Sequence, residues 1–520
     1  MSLSVLRAAR LISILTLTSR GLGLVRDMTF SFVFGVGSVQ SAFALGFQIP
    51  NLFRMLFGEG AISAASIPVL TERLHHDGPP AMAVVAGRLV GLLLMVLTGL
   101  CAIAEVVVLI LYWRYGDDPN SALTLTLTGI MLPFVVMICP VAILGGIQNI
   151  FGRFALPAAM PILTNVVLII TAFGARLVIP GGPRKHIIVI SLAVLVAGLL
   201  QVALQWWGVR RCGLRIRLSI EWRDPAIQRI LRTMLPMILG LGVVQINTLA
   251  DSLIAWWFVS DPVGPHLPDE RPGTAILYFA QRLYQFPLGV FLIALATAIF
   301  PALARHAAAQ DRAGLSQTLI RGIRAALFIA LPCMVGLILI REPLVRTLFA
   351  HGRFKEIPHA DPRVAAALAM YSLGLWAYGL NHLLTRAFYA LQDARTPLKV
   401  SVANVALNLT LNLILVQTVL REAGLALATA VGATMQVIVL LVLFNRRIER
   451  LPWAQLLPSA GRTLAAALFM GALVLLADRY ALPEVGNLIR LAILVATGAA
   501  AFLAAVWLLR CPELRELTRR

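Results

Sequence analysis

Four arginines stand in stretches that are otherwise apolar: Arg20 and Arg26 in the first, Arg54 in the second and Arg282 much later. A guanidinium is permanently charged and carries five N–H donors in a planar fork. At the centre of a lipid-facing helix each would cost ~2.5–3.5 kcal/mol on the insertion scale. Side chains so placed must face water, an acid or an anionic ligand. Snorkelling suits Arg20 or Arg282 if a helix edge lies one turn away, and suits Arg26 and Arg54 poorly. Asp27 and Glu59 are near enough to neutralise one or two of them. Taken together the four point to an anion-binding cavity.

The surrounding residues fit that reading. Gly21-Leu22-Gly23 separates Arg20 from Arg26, Pro50 precedes Arg54, and Pro287 and Gly289 follow Arg282. In a straight helix Arg20 and Arg26 would lie ~120° apart, so their convergence needs a bend at the glycines. Broken backbone at membrane depth is tolerated where it lines a cavity or is buried in protein. Guanidinium pairs bidentately with phosphate. A pyrophosphate carries more charge than one phosphodiester, which favours a polyprenyl-diphosphate-linked sugar as the ligand.

The elements that position these residues follow from composition. The chain has 520 residues, 59% hydrophobic and 13% charged, with a net charge of +20. So few charges exclude a soluble enzyme and a disordered chain and imply an all-α integral membrane protein. The basic excess is arginine apart from Lys185, Lys355 and Lys399. The first 35 residues do not read as a cleavable signal, because the apolar stretch is too long and contains arginines. Fourteen spans are expected near 11–36, 41–70, 82–112, 121–147, 157–178, 187–209, 228–259, 273–303, 316–340, 363–391, 397–419, 422–445, 461–480 and 486–509. With both termini inside, cytoplasmic segments hold roughly twice as many Lys and Arg as outer ones. The connection between spans 6 and 7 is the most basic, with Arg210, Arg211, Arg215, Arg217, Arg223, Arg229 and Arg232. It reads first as an orientation signal on anionic lipid.

An internal repeat divides the chain. Phe47-Gln48-Ile49-Pro50 resembles Tyr284-Gln285-Phe286-Pro287, and Pro157 and Asn165 match Pro397 and Asn404, all at offsets near 237. Six spans per copy preserve orientation, giving a parallel repeat. The expected organisation is a six-helix bundle at 1–212, a basic cytoplasmic linker at 213–227, a second six-helix bundle at 228–447, and a helix pair with a tail at 448–520. Two such bundles with a midplane site form a transporter plan. The five cysteines make no CxxC pair, and the histidines sit mostly in loops, so neither a metal cluster nor a disulfide framework is expected. No nucleophile–base constellation appears.

The sequence resembles the MurJ (MviN) family of lipid II flippases, within the superfamily that includes drug antiporters and polysaccharide exporters. The resemblance runs over essentially the whole chain. It is sharpest in SRGLGLVRD at 19–27, the FG at 34–35 and PNLFRMLFGEGAISAASIPVLTE at 50–72, with further anchors in YFAQRLYQFPLGV at 278–290 and YALQDARTP at 389–397. It implies movement of lipid II, the undecaprenyl-pyrophosphate-linked peptidoglycan precursor, from the inner to the outer leaflet of a bacterial cytoplasmic membrane. Arg20, Arg26, Arg54 and Arg282 match the family's required cavity arginines, and Asp27 and Glu59 its neighbouring acids. Asn51, Gln281 and Gln285 are the expected cavity supports. Asp251, in QINTLADSL, matches an acid that serves a sodium site in some members; read from the residues alone it is equally a partner for an arginine or a capping acceptor.

Three departures stand out. Ser41, before Ala42-Phe43, replaces an acid. Met55 replaces the second arginine of a pair. Gln281 and Gln285 replace acids beside the span-8 arginine. They weaken the case for proton coupling there. Sodium or the membrane potential remains as the driver, and no cofactor is expected. Expected partners are lipid II, membrane lipids and the cell-wall synthesis machinery, with no nucleic acid. Rival readings are an exporter of drugs or of another polyprenyl-linked glycan, and a scaffold that does not transport.

Overall fold

The computed structural model describes residues 3–56, 62–262, 269–481 and 485–514. Among these the chain is helical almost throughout, and β pairing is confined to one antiparallel bridge between Asp261 and Glu270. The helices are α1 (Leu3–Phe34), α2 (Ser38–Phe53), α3 (Ile62–Tyr115), α4 (Pro119–Met131), α5 (Phe134–Ile150), α6 (Ala155–Val178), α7 (Pro183–Arg211), α8 (Pro225–Phe258), α9 (Gly273–Pro287), α10 (Ile293–Ala308), α11 (Arg312–Leu339), α12 (Arg341–Phe349), α13 (Ala360–Leu373), α14 (Leu375–Ala390), α15 (Arg395–Leu415), α16 (Glu422–Arg447), α17 (Trp453–Leu476) and α18 (Asn487–Leu508).

Among the described residues ten helical stretches are long and apolar enough to cross a membrane, or eleven if α13 and α14, bent by 41°, count as one. Length and apolarity alone therefore do not reach fourteen. The remaining expected segments fall on α1, which holds Arg20, Arg26 and Asp27, on α2 with the start of α3, and on α8, which holds Asp251. The α3 helix is two passages joined at Gly78, whose φ of 79° and ψ of 178° break the helix just before Pro79 and Pro80. Only glycine takes that backbone conformation without strain, and neither proline can donate to the turn before it.

The chain forms two compact units. The first holds Met1–Leu249, Ser260–Ala275 and Gly352–Phe354; the second holds Ala250–Val259, Ile276–His351 and Lys355–Arg520. Residues 228–249 thus group with the first unit, and α17 and α18 with the second. In the first unit α1 packs on α6, α2 on α4, α3 on α5, and α7 on α5 and α6. Aromatic rings fill its core: Phe30 meets Phe43 edge-on at 5.3 Å, and Phe43 stacks on Phe47 at 5.8 Å. In the second unit α10 and α11 pack on α14, and α16 on α13, α14 and α15. The pairings α3–α5, α5–α7, α6–α7 and α4–α7 thus recur as α11–α14, α14–α16, α15–α16 and α13–α16.

The segment after α7 is laid against α3. Leu214 and Ile216 are buried while Arg215 and Arg217 are exposed. Gly87 and Gly91 make this possible: a Cβ would lie 2.1 Å from the Arg217 carbonyl oxygen at the first and 2.3 Å from that of Ser219 at the second. Beside them Arg88 closes on Asp224, whose carboxylate also accepts from the Ala226 amide at 2.7 Å and so caps α8. Burial raises the Asp224 carboxyl, but those bonds outweigh it and hold it below its ordinary value. In the second unit α17 and α18 pack over α11 around Phe328, Met470 and Phe502. Buried Glu513 closes that end, accepting from Arg324 at 2.7 Å and Ser459 at 2.5 Å.

Candidate functional site

Arg20, Arg26 and Arg54 belong to the first unit and Arg282 to the second. The α1 helix runs unbroken through Gly21-Leu22-Gly23. The expected break is absent there: a glycine permits a break without requiring one, and α6 packs along α1. Arg20 is consequently exposed, on a different face from half-buried Arg26.

Arg26 is held from two sides. Its Nη2 and Nε donate to Asp27 Oδ1 at 2.7 and 3.1 Å, and its Nη1 donates to Asn165 Oδ1 on α6 at 3.0 Å. Asn165 donates in turn to the Ser19 carbonyl at 3.1 Å. A Cβ at position 23 would lie 3.7 Å from Asn165 Nδ2, in ordinary contact with this amide. Asp27, 2% exposed, is thus the acid that balances Arg26. Arg54 lies one residue past α2, and both its Nε and Nη2 donate to Asn51 Oδ1, at 3.0 and 2.9 Å. Asn51 therefore positions Arg54. Glu59 lies outside the described residues.

In the second unit Arg282 is half-buried on α9, with its guanidinium carbon 4.6 Å from the Tyr278 ring centre. Gln281 donates to the Tyr371 hydroxyl at 2.9 Å. Gln285 sits half-buried one turn further on. Asp251 is 4% exposed on α8. Asn412 Nδ2 donates to its Oδ1 at 2.6 Å and to Asn408 Oδ1 at 2.9 Å, and the Thr429 hydroxyl donates to its Oδ2 at 3.5 Å. This all-oxygen and amide set suits a hard cation such as sodium, provided an amide oxygen replaces an amide N–H toward the carboxylate. Among the described residues no three His, Cys, Asp or Glu side chains cluster as a metal site.

At the end of the first unit where α3 turns into α4 the departure at Ser41 acquires a role. Its hydroxyl accepts the Ala275 amide at 3.0 Å, near the start of α9. Alongside it, Glu270 accepts the Ser38 amide at 2.6 Å and the Arg271 amide donates to the Ser38 hydroxyl at 2.8 Å. Arg271 pairs with Asp118 at 3.1 Å, and Asn120 donates to the Asp269 carbonyl at 2.7 Å. Burial raises the Asp118 carboxyl, but the Ser121 hydroxyl and Arg271 prevail and hold it below its ordinary value.

Asn408, Asn412 and Thr429 were not foreseen as site residues. A signal existed: Asn404, Asn408 and Asn412 recur every four residues, which puts three amides on one face of an apolar helix.

Residues 30–496 match the family model described as lipid II flippase MurJ. The chain belongs to the MurJ family. Arg54, Asp251 and Arg282 fall within the matched stretch, while Arg20, Arg26 and Asp27 precede it. Among MurJ relatives, a protein of Vibrio cholerae named "Probable lipid II flippase MurJ" is 31% identical over 82% of this chain and 80% of its own length. A Rhizobium meliloti protein of the same name is 31% identical over 90% of this chain and 86% of its own. The solved structure of a lipid II flippase MurJ in an inward closed conformation shares the fold, with a TM-score of 0.76, 23% identity and coverage of 98% of this chain and 100% of that one. An inward-facing MATE transporter of the MOP superfamily follows at a TM-score of 0.66 and 16% identity, covering 82% of this chain and 94% of that one. The protein is an all-helical membrane protein of this transporter fold.

Proposed function

We propose that this chain moves lipid II from the inner to the outer leaflet of the bacterial cytoplasmic membrane by alternating access. Membership of the MurJ family across residues 30–496 carries the reading. The arginines give it a chemistry. Arg26 and Arg54 of the first unit and Arg282 of the second each offer the pyrophosphate charge-assisted hydrogen bonds, while Arg20, on another face of α1, does not share the site. Asp27 and Asn165 keep the Arg26 guanidinium in one orientation, and Asn51 does the same for Arg54. A cation held this way loses little side-chain freedom on meeting an anion. The prenyl tail stays in lipid along α17 and α18, where Leu468, Phe469 and Trp507 are exposed.

Both termini are cytoplasmic in this reading, with the basic linker on anionic lipid. Moving one charge across 100 mV is worth ~2.3 kcal/mol, so a positive-outside potential favours inward return of the empty cationic carrier. Asp251, with Asn408, Asn412 and Thr429, is the place for a coupling sodium ion, which would take the carboxylate from the amide of Asn412.

Reconstituted translocation of labelled lipid II in liposomes tests the proposal. Wild type is expected to translocate, and folded Arg26→Ala, Arg54→Ala and Arg282→Ala to lose at least tenfold in rate. Wild type that moves a different polyprenyl-linked glycan, and not lipid II, overturns the substrate. Variants as fast as wild type overturn the role of the arginines.

A further inference from the structure

From Asn381 onward the α14 helix is covered on one side only. Leu383 lies against Gly322 of α11, Gly379 against Leu292, and Phe388 meets Phe444 of α16 edge-on at 6.0 Å. The opposite face, an arc of about 140° at 100° per residue, carries Tyr378, Asn381, His382, Thr385, Arg386 and Tyr389. Its one aliphatic side chain is Leu375, buried on the first turn. His382 and Tyr389 are exposed, and Asn381, Thr385 and Arg386 half-buried. Exposed faces elsewhere in this unit are aliphatic, as with Val402, Leu413 and Ile414 on α15 or Ile438, Val439 and Val442 on α16. A strip with a carboxamide and an imidazole on one turn and a guanidinium on the next is too costly to leave in lipid, so it lines a wet space.

Three of its polar atoms are buried without a hydrogen-bond partner among the described residues: Tyr378 OH, Asn381 Oδ1 and one terminal nitrogen of Arg386. Snorkelling to the interface would have left that nitrogen hydrated. The strip also joins the helix of Arg282, because Tyr378 lies 5.3 Å from Tyr284 of α9, which in turn lies 5.0 Å from Tyr371. From Tyr378 to Tyr389 it runs for about 16 Å along the axis. That is longer than a pyrophosphate and of the order of a glycosylated headgroup.

We propose that this face of α14 binds the part of the headgroup beyond the pyrophosphate. Arg386 takes a carboxylate of the acidic peptide, and Asn381, His382 and Tyr389 take the hydroxyls and ring faces of the sugar. The inference rests on the lipid II reading and adds to it a residue that selects the whole headgroup rather than its phosphates. Amide and aromatic groups suit a sugar, and the fork of Arg386 suits a carboxylate.

The test compares full-length wild type, Arg386→Gln, Arg386→Lys, His382→Ala and Arg26→Ala in proteoliposomes. Each is titrated with lipid II, and binding of undecaprenyl pyrophosphate is measured alongside. Thermal unfolding in detergent checks folding. Arg386→Gln is expected to raise the half-saturating lipid II concentration about 10- to 30-fold with little change in maximal rate, and to leave undecaprenyl pyrophosphate binding unchanged. Arg386→Lys should recover part of the loss. If Arg386→Gln does not fold, His382→Ala should show the same selective loss at smaller size. Unchanged half-saturation in the folded variants overturns the inference, and so does equal weakening for both lipids. If Arg26→Ala abolishes transport while these variants behave as wild type, only the α14 assignment fails. If wild type does not move lipid II, the reading beneath it fails.

Discussion

Arg26 Nη1 donates to Asn165 Oδ1 at 3.0 Å across 139 residues of chain, tying the middle of α1 to α6. The same asparagine holds the Ser19 carbonyl. One amide therefore fixes both the helix and the cation on it. Asn165→Ala leaves a charge-assisted bond unmade, at a cost of about 1.5–3 kcal/mol. It is expected to slow lipid II translocation about tenfold and to lower the thermal midpoint. Asn165→Asp should keep an acceptor for Arg26 and neutralise it but lose the donor to the Ser19 carbonyl, so its rate should fall more than its midpoint does. Parallel rate and unfolding measurements separate the two effects.

Asp251 is buried, the Asn412 amide and the Thr429 hydroxyl donate to its carboxylate, and an amide in its place keeps an acceptor oxygen while removing the charge a cation needs. Asp251→Asn is expected to remain folded and to lose any dependence of transport on sodium. Translocation with sodium replaced by choline checks this: a sodium effect that survives in Asp251→Asn removes the site from α8.

Gly87 and Gly91 admit the linker backbone against α3. Gly87→Ala places a Cβ 2.1 Å from a carbonyl oxygen, where something must shift. Overpacking of this kind costs about 1–3 kcal/mol. The variant is expected to release residues 214–220, seen as faster amide exchange and proteolysis there, while amides of α13 to α16 keep their protection.

Acid should loosen the strap that Asp269–Arg271 forms on the first unit. Asp118 is held below its ordinary value when paired with Arg271. The carboxylate therefore ionises more readily in the folded chain than in the unfolded one. Its contribution is complete above about pH 4 and is lost as pH falls through the folded value. Amide exchange at Ser38 and Ala275, corrected for its intrinsic pH dependence, is expected to gain protection as pH rises to about 4 and to stay level above it. Asp118→Asn should flatten that profile.

The sequence by itself determined the membrane class, because so apolar a chain has no soluble alternative, and it marked the arginines, because a charge inside a span needs a reason. It placed a division at the basic linker, whereas residues 228–249 group with the first unit. Tertiary structure decided the partners. Gly21-Leu22-Gly23 reads as a bend in sequence but stays helical, since helix geometry at a glycine is set by what packs beside it. Asn165 looked like a mark of the repeat and proves to orient Arg26. Asn408, Asn412 and Thr429 meet Asp251 only because α8, α15 and α16 bring together residues up to 178 apart in the chain. Burial and charge are properties of composition and local pattern, so a sequence displays them; which polar group answers which is fixed by helix rotation and register, which only packing determines.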